Sequence, residues 1–227
     1  MNSINLLHDD FKNVIKNMND DFIVVTDPPY NINFNYNQYD DNLSDKDYIE
    51  LISNFKNMKL AIIHYPEETM KYFVKALGVP NEVNTWCYNS NLPNRHHRLI
   101  NYYNVIPDYR KVLQPYKNPN DKRIKERIAK GIKGARSYDW FNDIQLVKNV
   151  SKENFNHPCP VPVELMERII KLISNEGDLI FDPFMGSGTT AIACINTNRR
   201  FVGTEIDELY FNMAKKRVNE KIIERNE

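Results

Sequence analysis

An α/β fold with a doubly wound, mainly parallel sheet is predicted from three features of this 227-residue chain. Short continuous apolar runs at residues 22–25, 60–63 and 201–204 alternate with stretches of helical periodicity, as in strands buried on both faces by helices. Two runs stop at a carboxylate followed by a tight turn: Thr26-Asp27-Pro28-Pro29-Tyr30, and Phe181-Asp182-Pro183-Phe184-Met185-Gly186-Ser187-Gly188-Thr189-Thr190. Open α/β sheets keep their chemistry in the crevice beyond such strand ends. The length and the 41% hydrophobic content fit one domain, 1–227, with a full core.

In chain order, Ile4-Asn5-Leu6-Leu7 is a short apolar run, followed by Phe11, Val14, Ile15 and Met18 at helical spacing. Residues 22–25 form a strand, and the polar, aromatic residues 31–41 read as a mobile loop over the site. Ser44 with Asp47 opens a helix whose apolar face is Tyr48, Leu51, Ile52 and Phe55. After a strand at 60–63, Pro66 starts a helix with Met70, Phe73, Val74 and Leu77 inward, ended by Gly78. A strand follows at 82–87. Residues 89–140 read as an insertion, since the segment is too short for its own large core; within it Ile124 and Ile128 should face inward from a basic helix. Helices at 163–174 and 189–196, strands at 178–182 and 201–204, and a charged helix from Glu208 complete the alternation.

Acidic and basic side chains balance at 30 each, yet they are segregated. Residues 1–60 hold ten acids and five Lys or Arg, whereas residues 89–136 hold twelve Lys or Arg and three acids. A neutral protein with one basic, tyrosine-rich segment can still present a footprint for a polyanion. Arg95, Arg98, Lys122, Arg123 and Arg127 are the candidate contacts. No window is apolar for long enough to cross a bilayer, and the N-terminus lacks the pattern of a signal peptide. Cys87, Cys159 and Cys194 fit neither a disulfide framework nor a metal site, and His96 and His97 have no partner at ligand spacing. No metal is expected, and a reducing cytoplasm fits best.

Around the second turn, Gly186 and Gly188 let the backbone approach a ligand, and the helix start at Thr189 offers free N–H groups. Glu205 closes the next strand where a carboxylate can take both hydroxyls of a ribose. No Lys follows the glycines, which counts against a nucleoside triphosphate.

The Asp-Pro-Phe-x-Gly-x-Gly stretch resembles the S-adenosyl-L-methionine site of methyltransferases, and with Asp-Pro-Pro-Tyr the chain resembles the amino-methyltransferases of DNA, which act on adenine N6 or cytosine N4. It is similar to the permuted group, in which the catalytic motif precedes the glycine motif. The resemblance implies a Rossmann-like methyltransferase fold with a target-recognition segment at 89–140, double-stranded DNA as substrate, and a cytoplasmic enzyme of bacterial or phage origin. By it, Asp182, Phe184, Gly186, Ser187, Gly188 and Thr189 would cradle the cofactor, Glu205 its ribose, and Asp9, or failing that Asp10, its adenine. Catalysis would fall to Asp27, Pro28, Pro29 and Tyr30. The Asp27 carboxylate and the Pro28 carbonyl each accept an N–H, aiming a poorly nucleophilic amine, while the prolines stiffen the turn and Tyr30 stacks on a base flipped from the duplex.

Asp27 favours adenine, since Ser before the prolines is more typical of cytosine-N4 enzymes; methylation of RNA or of a protein amide is the alternative outside DNA. The stretch from His157 to Pro162 resembles an element bordering the cofactor pocket, with Val161 where the usual form has Lys. A homodimer and a cognate restriction endonuclease are the further partners that the resemblance suggests.

Overall fold

The computed structural model describes residues 3–33, 41–147 and 161–226. The elements in chain order are β1 (Ile4–His8), α1 (Phe11–Ile15), β2 (Phe22–Thr26), α2 (Asp45–Ser53) and β3 (Lys59–His64). Next come α3 (Pro66–Glu68), a π-helical turn (Thr69–Phe73) and α4 (Val74–Leu77) as one continuous rod, then β4 (Glu82–Cys87) and β5 (His97–Tyr103). They are followed by β6 (Leu113–Gln114), α5 (Lys122–Ala129), β7 (Ala135–Arg136), β8 (Trp140–Phe141), α6 (Val163–Ile173), β9 (Leu179–Asp182), α7 (Thr189–Asn196), β10 (Arg200–Glu205) and α8 (Glu208–Asn226). Among the described residues, no helix is long and apolar enough to cross a membrane.

Eight strands form one sheet in the order β1-β10-β9-β2-β3-β5-β4-β8. Pairing is parallel from β1 through β3, antiparallel on both sides of β5, and parallel between β4 and β8. Alternate side chains of each central strand enter opposite layers, which is the period-two geometry of a strand covered twice. Val24, Leu60, Ile62 and Phe181 pack with Phe11, Tyr48, Ile52, Phe55, Tyr72 and Phe73 from the α1 to α4 side. Ile23, Val25, Ala61, Ile63 and Ile180 pack against α6 and α7 on the other. The doubly wound α/β expectation is therefore met, with β5 as the reversed strand.

Three expectations are corrected. The segment 89–140 is not wholly an insertion, because β5 lies inside the main sheet between β3 and β4 and its Ile100 and Tyr102 are core residues. The rod beginning at Pro66 turns Thr69, Tyr72, Phe73, Ala76 and Leu77 inward and leaves Met70 exposed. Helix α5 has no buried residue: Asp121 caps it, accepting from the N–H groups of Arg123 and Ile124, but Ile128 faces solvent. The Ser44 cap is present, its Oγ accepting from the Asp47 N–H at 3.2 Å and donating to the Asp47 carboxylate at 2.7 Å.

Of the expected loop at 31–41, residues 34–40 lie outside the described residues, and its base is pinned. Asn31 and Ile32 donate backbone N–H groups to the Asp41 carboxylate at 2.7 and 3.2 Å, and Asn31 exchanges two hydrogen bonds with Leu43. Asn31 and Asn33 take positive φ, a conformation that asparagine tolerates better than most residues.

Candidate active site

Strands β2 and β9 are neighbours although 156 residues separate Thr26 from Asp182, so both turns open onto the same rim. One cleft of about 360 Å³ is lined by Asp27, Pro28, Pro29 and Tyr30 from the first turn and by Asp182, Phe184, Gly186, Ser187 and Thr189 from the second. Glu205, Asp10 and Val161 border it too. The volume is in the range of small-molecule sites.

The β2 turn is held from several directions. Tyr30 donates its hydroxyl to Asp27 Oδ1 at 2.5 Å. Its ring stacks on His64 at the end of β3, with centroids 4.2 Å apart. Tyr48 of α2 donates to the Pro29 carbonyl at 2.7 Å and meets His64 Nε2 at 3.2 Å. His64 Nδ1 accepts from the Tyr65 N–H at 2.9 Å, so the neutral ring carries its proton on Nε2, facing Tyr48. Burial, aided by the nearby Arg98 charge, pushes the His64 pKa down to about 3. Burial also lifts the Asp27 carboxyl above its ordinary value, while Arg98 and the Tyr30 hydroxyl pull it part of the way back.

Arg98 is the principal residue whose place the composition conceals. Because β5 runs against its neighbours, its first residues reach the rim where β2 and β3 end. Arg98 is 7% exposed and lines the cleft, with Nη1 3.8 Å from Asp27 Oδ2. Its guanidinium lies 5.2 to 5.7 Å from the ring centroids of Tyr30, Tyr65, Trp86 and Tyr88. Grouped by sequence with the candidate DNA contacts, it is a buried cation beside the Asp27 carboxylate. Arg95 lies over Tyr65 at 4.0 Å, near Glu67 and Glu68. Lys122, Arg123 and Arg127 stand exposed on α5, away from the lining.

In the second turn, Asp182 acts as a strut. It is 2% exposed and accepts from Thr26 Oγ1 at 2.7 Å, Thr190 Oγ1 at 2.5 Å and the Phe184 N–H at 3.1 Å. Burial raises its pKa to about 6, against the pull of those donors. The two oxygens thus tie β2 to the start of α7, and Asp182, expected among the residues around the cofactor, lines the cleft wall and joins the two turns.

Gly188, at φ +82° and outside the lining, answers to packing: a Cβ there would sit 3.1 Å from Ala214 of α8. Gly203 is similar, its missing Cβ leaving room for the Phe201 ring and Met185 Sδ. Gly186 does line the cleft, and its N–H donates to Glu205 Oε2 at 2.9 Å. Ser187 and Thr189 receive the buried Arg217 of α8, whose Nη1 reaches both side-chain oxygens. Of the two acids after β1, Asp10 borders the cleft while capping α1, and Asp9 lies outside the lining, bonded to Asn13.

These walls fit a nucleoside-bearing methyl donor. Phe11, Phe184 and Ile206 supply apolar faces for a base, and Glu205 supplies a carboxylate at the strand end for a diol. Asp207 is 3% exposed and lines the same cleft; its Oδ1 caps α8, while its buried Oδ2 has no hydrogen-bond partner among the described residues. An orphaned buried acceptor is costly unless a ligand donor meets it. Residues 157–160 of the expected pocket border lie outside the described residues; Val161 is buried at the wall.

Comparison with known proteins agrees with this geometry. Over 222 residues the chain is 28% identical to the type II methyltransferase M.HpaI of Haemophilus parainfluenzae, an alignment taking in 90% of this chain and 71% of that protein. The fold superposes on the M1.HpyAVI–SAM complex with a TM-score of 0.61 at 23% identity, covering 95% of this chain and all of the other. On the cytosine-N4-specific PvuII DNA methyltransferase the TM-score is 0.66 at 15% identity, covering 97% and 92%. The DNA methylase family profile for N6 and N4 enzymes matches residues 22–216, which take in both turns and the strands that carry them. With a carboxylate turn and a glycine turn meeting in one cleft across that span, the chain belongs to the N6/N4 DNA methylase family.

Proposed function

We propose that this DNA methyltransferase acts on the N6 amine of adenine in double-stranded DNA, with the base flipped into the cleft and S-adenosyl-L-methionine as donor. The observation that carries the reading is the shared cleft, whose lining includes Asp27 and Pro28 together with Phe184, Gly186 and Glu205. When bound, the donor supplies an electrophilic methyl group on a sulfonium. Asp27 Oδ1 is engaged by Tyr30, so Oδ2 is the atom that accepts the amine N–H, with the Pro28 carbonyl as second acceptor. Two fixed acceptors let the nitrogen become tetrahedral as it attacks. The Pro29 carbonyl is already taken by Tyr48, which holds the turn rigid.

Tyr30 is 8% exposed with His64 against its ring, so its main service is to orient Asp27; the base rests along the wall that Tyr30 and Tyr65 share. Glu205 takes the ribose of the donor, and Asp10 or the free oxygen of Asp207 its adenine amine. Lys122, Arg123 and Arg127 engage backbone phosphates, and the segment around α5 contributes to site recognition. A homodimer and a partner endonuclease fit the same reading.

Adenine is preferred because the acceptor before the prolines is a carboxylate. The likeness to the cytosine-specific enzyme, at 15% identity, concerns the fold alone. The test is to express the chain in a host without methyltransferases and sequence the modified DNA. N6-methyladenine at one recurring site is the expected result; N4-methylcytosine would overturn the base assignment, and unmodified DNA the whole reading.

A further inference from the structure

The Arg98 side chain is a second observation pointing into the cleft. It is buried, lines the wall next to Asp27, and carries an Nε–H with no hydrogen-bond partner among the described residues. At 3.8 Å, its contact with Asp27 Oδ2 is an ion pair without a hydrogen bond. A guanidinium has five donors and no acceptor, and burying it with donors unspent is costly. Four aromatic rings surround the side chain and the Tyr88 hydroxyl interacts with it, yet none of these partners the Nε–H. Arg98 also lines the cleft, so an acceptor entering there beside Asp27 would relieve that cost.

We propose that Arg98 contacts the target base itself, donating to the ring nitrogen that flanks the amine held by Asp27. The pair would then read an amidine edge: a carboxylate accepts the exocyclic N–H, and the neighbouring guanidinium donates to the adjacent ring nitrogen. Adenine offers this pattern at N6 with N1, or a wider amine–acceptor pair at N6 with N7, and cytosine at N4 with N3. Guanine and thymine, when they offer a carbonyl beside a ring N–H at that edge, present each partner with the wrong group. Arg98 thus serves as a specificity-determining residue that admits amino-bases and rejects oxo-bases. The two opposite charges lie together, so the carboxylate offsets the guanidinium as positive charge develops on the amine. This inference rests on the reading of Asp27 as the amine acceptor.

The test is a cycle between enzyme and substrate atoms. Wild type, Arg98→Met and Arg98→Lys are assayed for single-turnover methylation of a duplex bearing the mapped site. The target is adenine, 1-deazaadenine or 7-deazaadenine, or 3-deazacytosine against cytosine should the mapped base be cytosine. Calorimetric binding of S-adenosylmethionine checks that each variant is folded. Wild type is expected to lose about tenfold or more with one of the deaza bases, the size of a hydrogen bond to a charged group. Arg98→Met should be slow on the natural base and lose almost nothing further with that analogue, and Arg98→Lys should recover part of the rate. A merely structural arginine would give variants that lose the same factor as wild type on every analogue. That additivity would overturn the proposal. A wild type that methylates neither base would instead remove the methyltransferase reading, so the two failures are distinct.

Discussion

The buried strut at Asp182 makes a quantitative demand. Thr190→Val and Thr26→Val each remove one hydroxyl donor with little change in volume, at positions 1% and 0% exposed. Thr190 is the donor to Oδ2 among the described residues, whereas Oδ1, which Thr26 serves, also accepts from the Phe184 N–H at 3.1 Å. Stripping the sole donor from a buried carboxylate oxygen should cost about 2–3 kcal/mol, and removing one of two about 1–2 kcal/mol. Urea melts at pH 7.5 should show lower midpoints with unchanged m-values, Thr190→Val being the worse. In thermal melts the larger loss corresponds to about 5–10 °C for a chain of this size. Acid should narrow the gap. The Asp182 pKa is raised to about 6, so the carboxylate that needs these donors predominates only above that pH and is largely neutral at pH 5. Equal losses from the two variants, or a loss that does not shrink at pH 5, would refute the strut.

Further outcomes follow from other groups. The His64 pKa is lowered to about 3, so below about pH 6.5 the unfolded chain binds a proton that the folded one refuses; stability from this residue is present near neutrality and lost as pH falls. Relative to wild type, His64→Gln should therefore gain about 2–3 kcal/mol between pH 7.5 and 4.5 in paired urea melts. Glu205→Ala should weaken S-adenosylmethionine binding by about tenfold or more in calorimetry, as expected for loss of hydrogen bonds to a charged group. Reversing Lys122, Arg123 and Arg127 should flatten the slope of log affinity for DNA against log salt by about 0.9 for each phosphate that is no longer neutralised.

Much of the fold around the first turn was legible because its signals are local. A buried apolar strand, a carboxylate and two prolines mark the β2 turn, and β4 and α7 match their expected bounds residue for residue. What sequence concealed depends on pairing at a distance. Strand β5 carries Arg98 and Asn101 in its buried positions, so it resembled the basic surface segment around it; Asp27 lies 3.8 Å from Arg98 and Thr69 accepts from Asn101 Nδ2, contacts that only the fold reveals. Tyr48 reads from sequence as one more residue of an apolar helix face, and His64 carries no local signal; their contacts appear only when α2 and β3 are brought beside Pro29. Gly188 was legible as a glycine requirement but not in its cause, since Ala214 lies on a helix that begins twenty residues later. Met70 and Ile128 fell on apolar periods that neighbouring residues outcompeted or that no layer covers.

Asp27→Ala, studied by single-turnover methyl transfer and calorimetry together, separates the two halves of the cleft most directly. Methyl transfer should fall below detection while S-adenosylmethionine affinity stays within a few-fold, because the proposed reading puts the amine on Asp27 and the donor on Glu205. Retained transfer with Asp27→Ala, or lost transfer explained by lost donor binding, would contradict the assignment of the β2 turn to the amine.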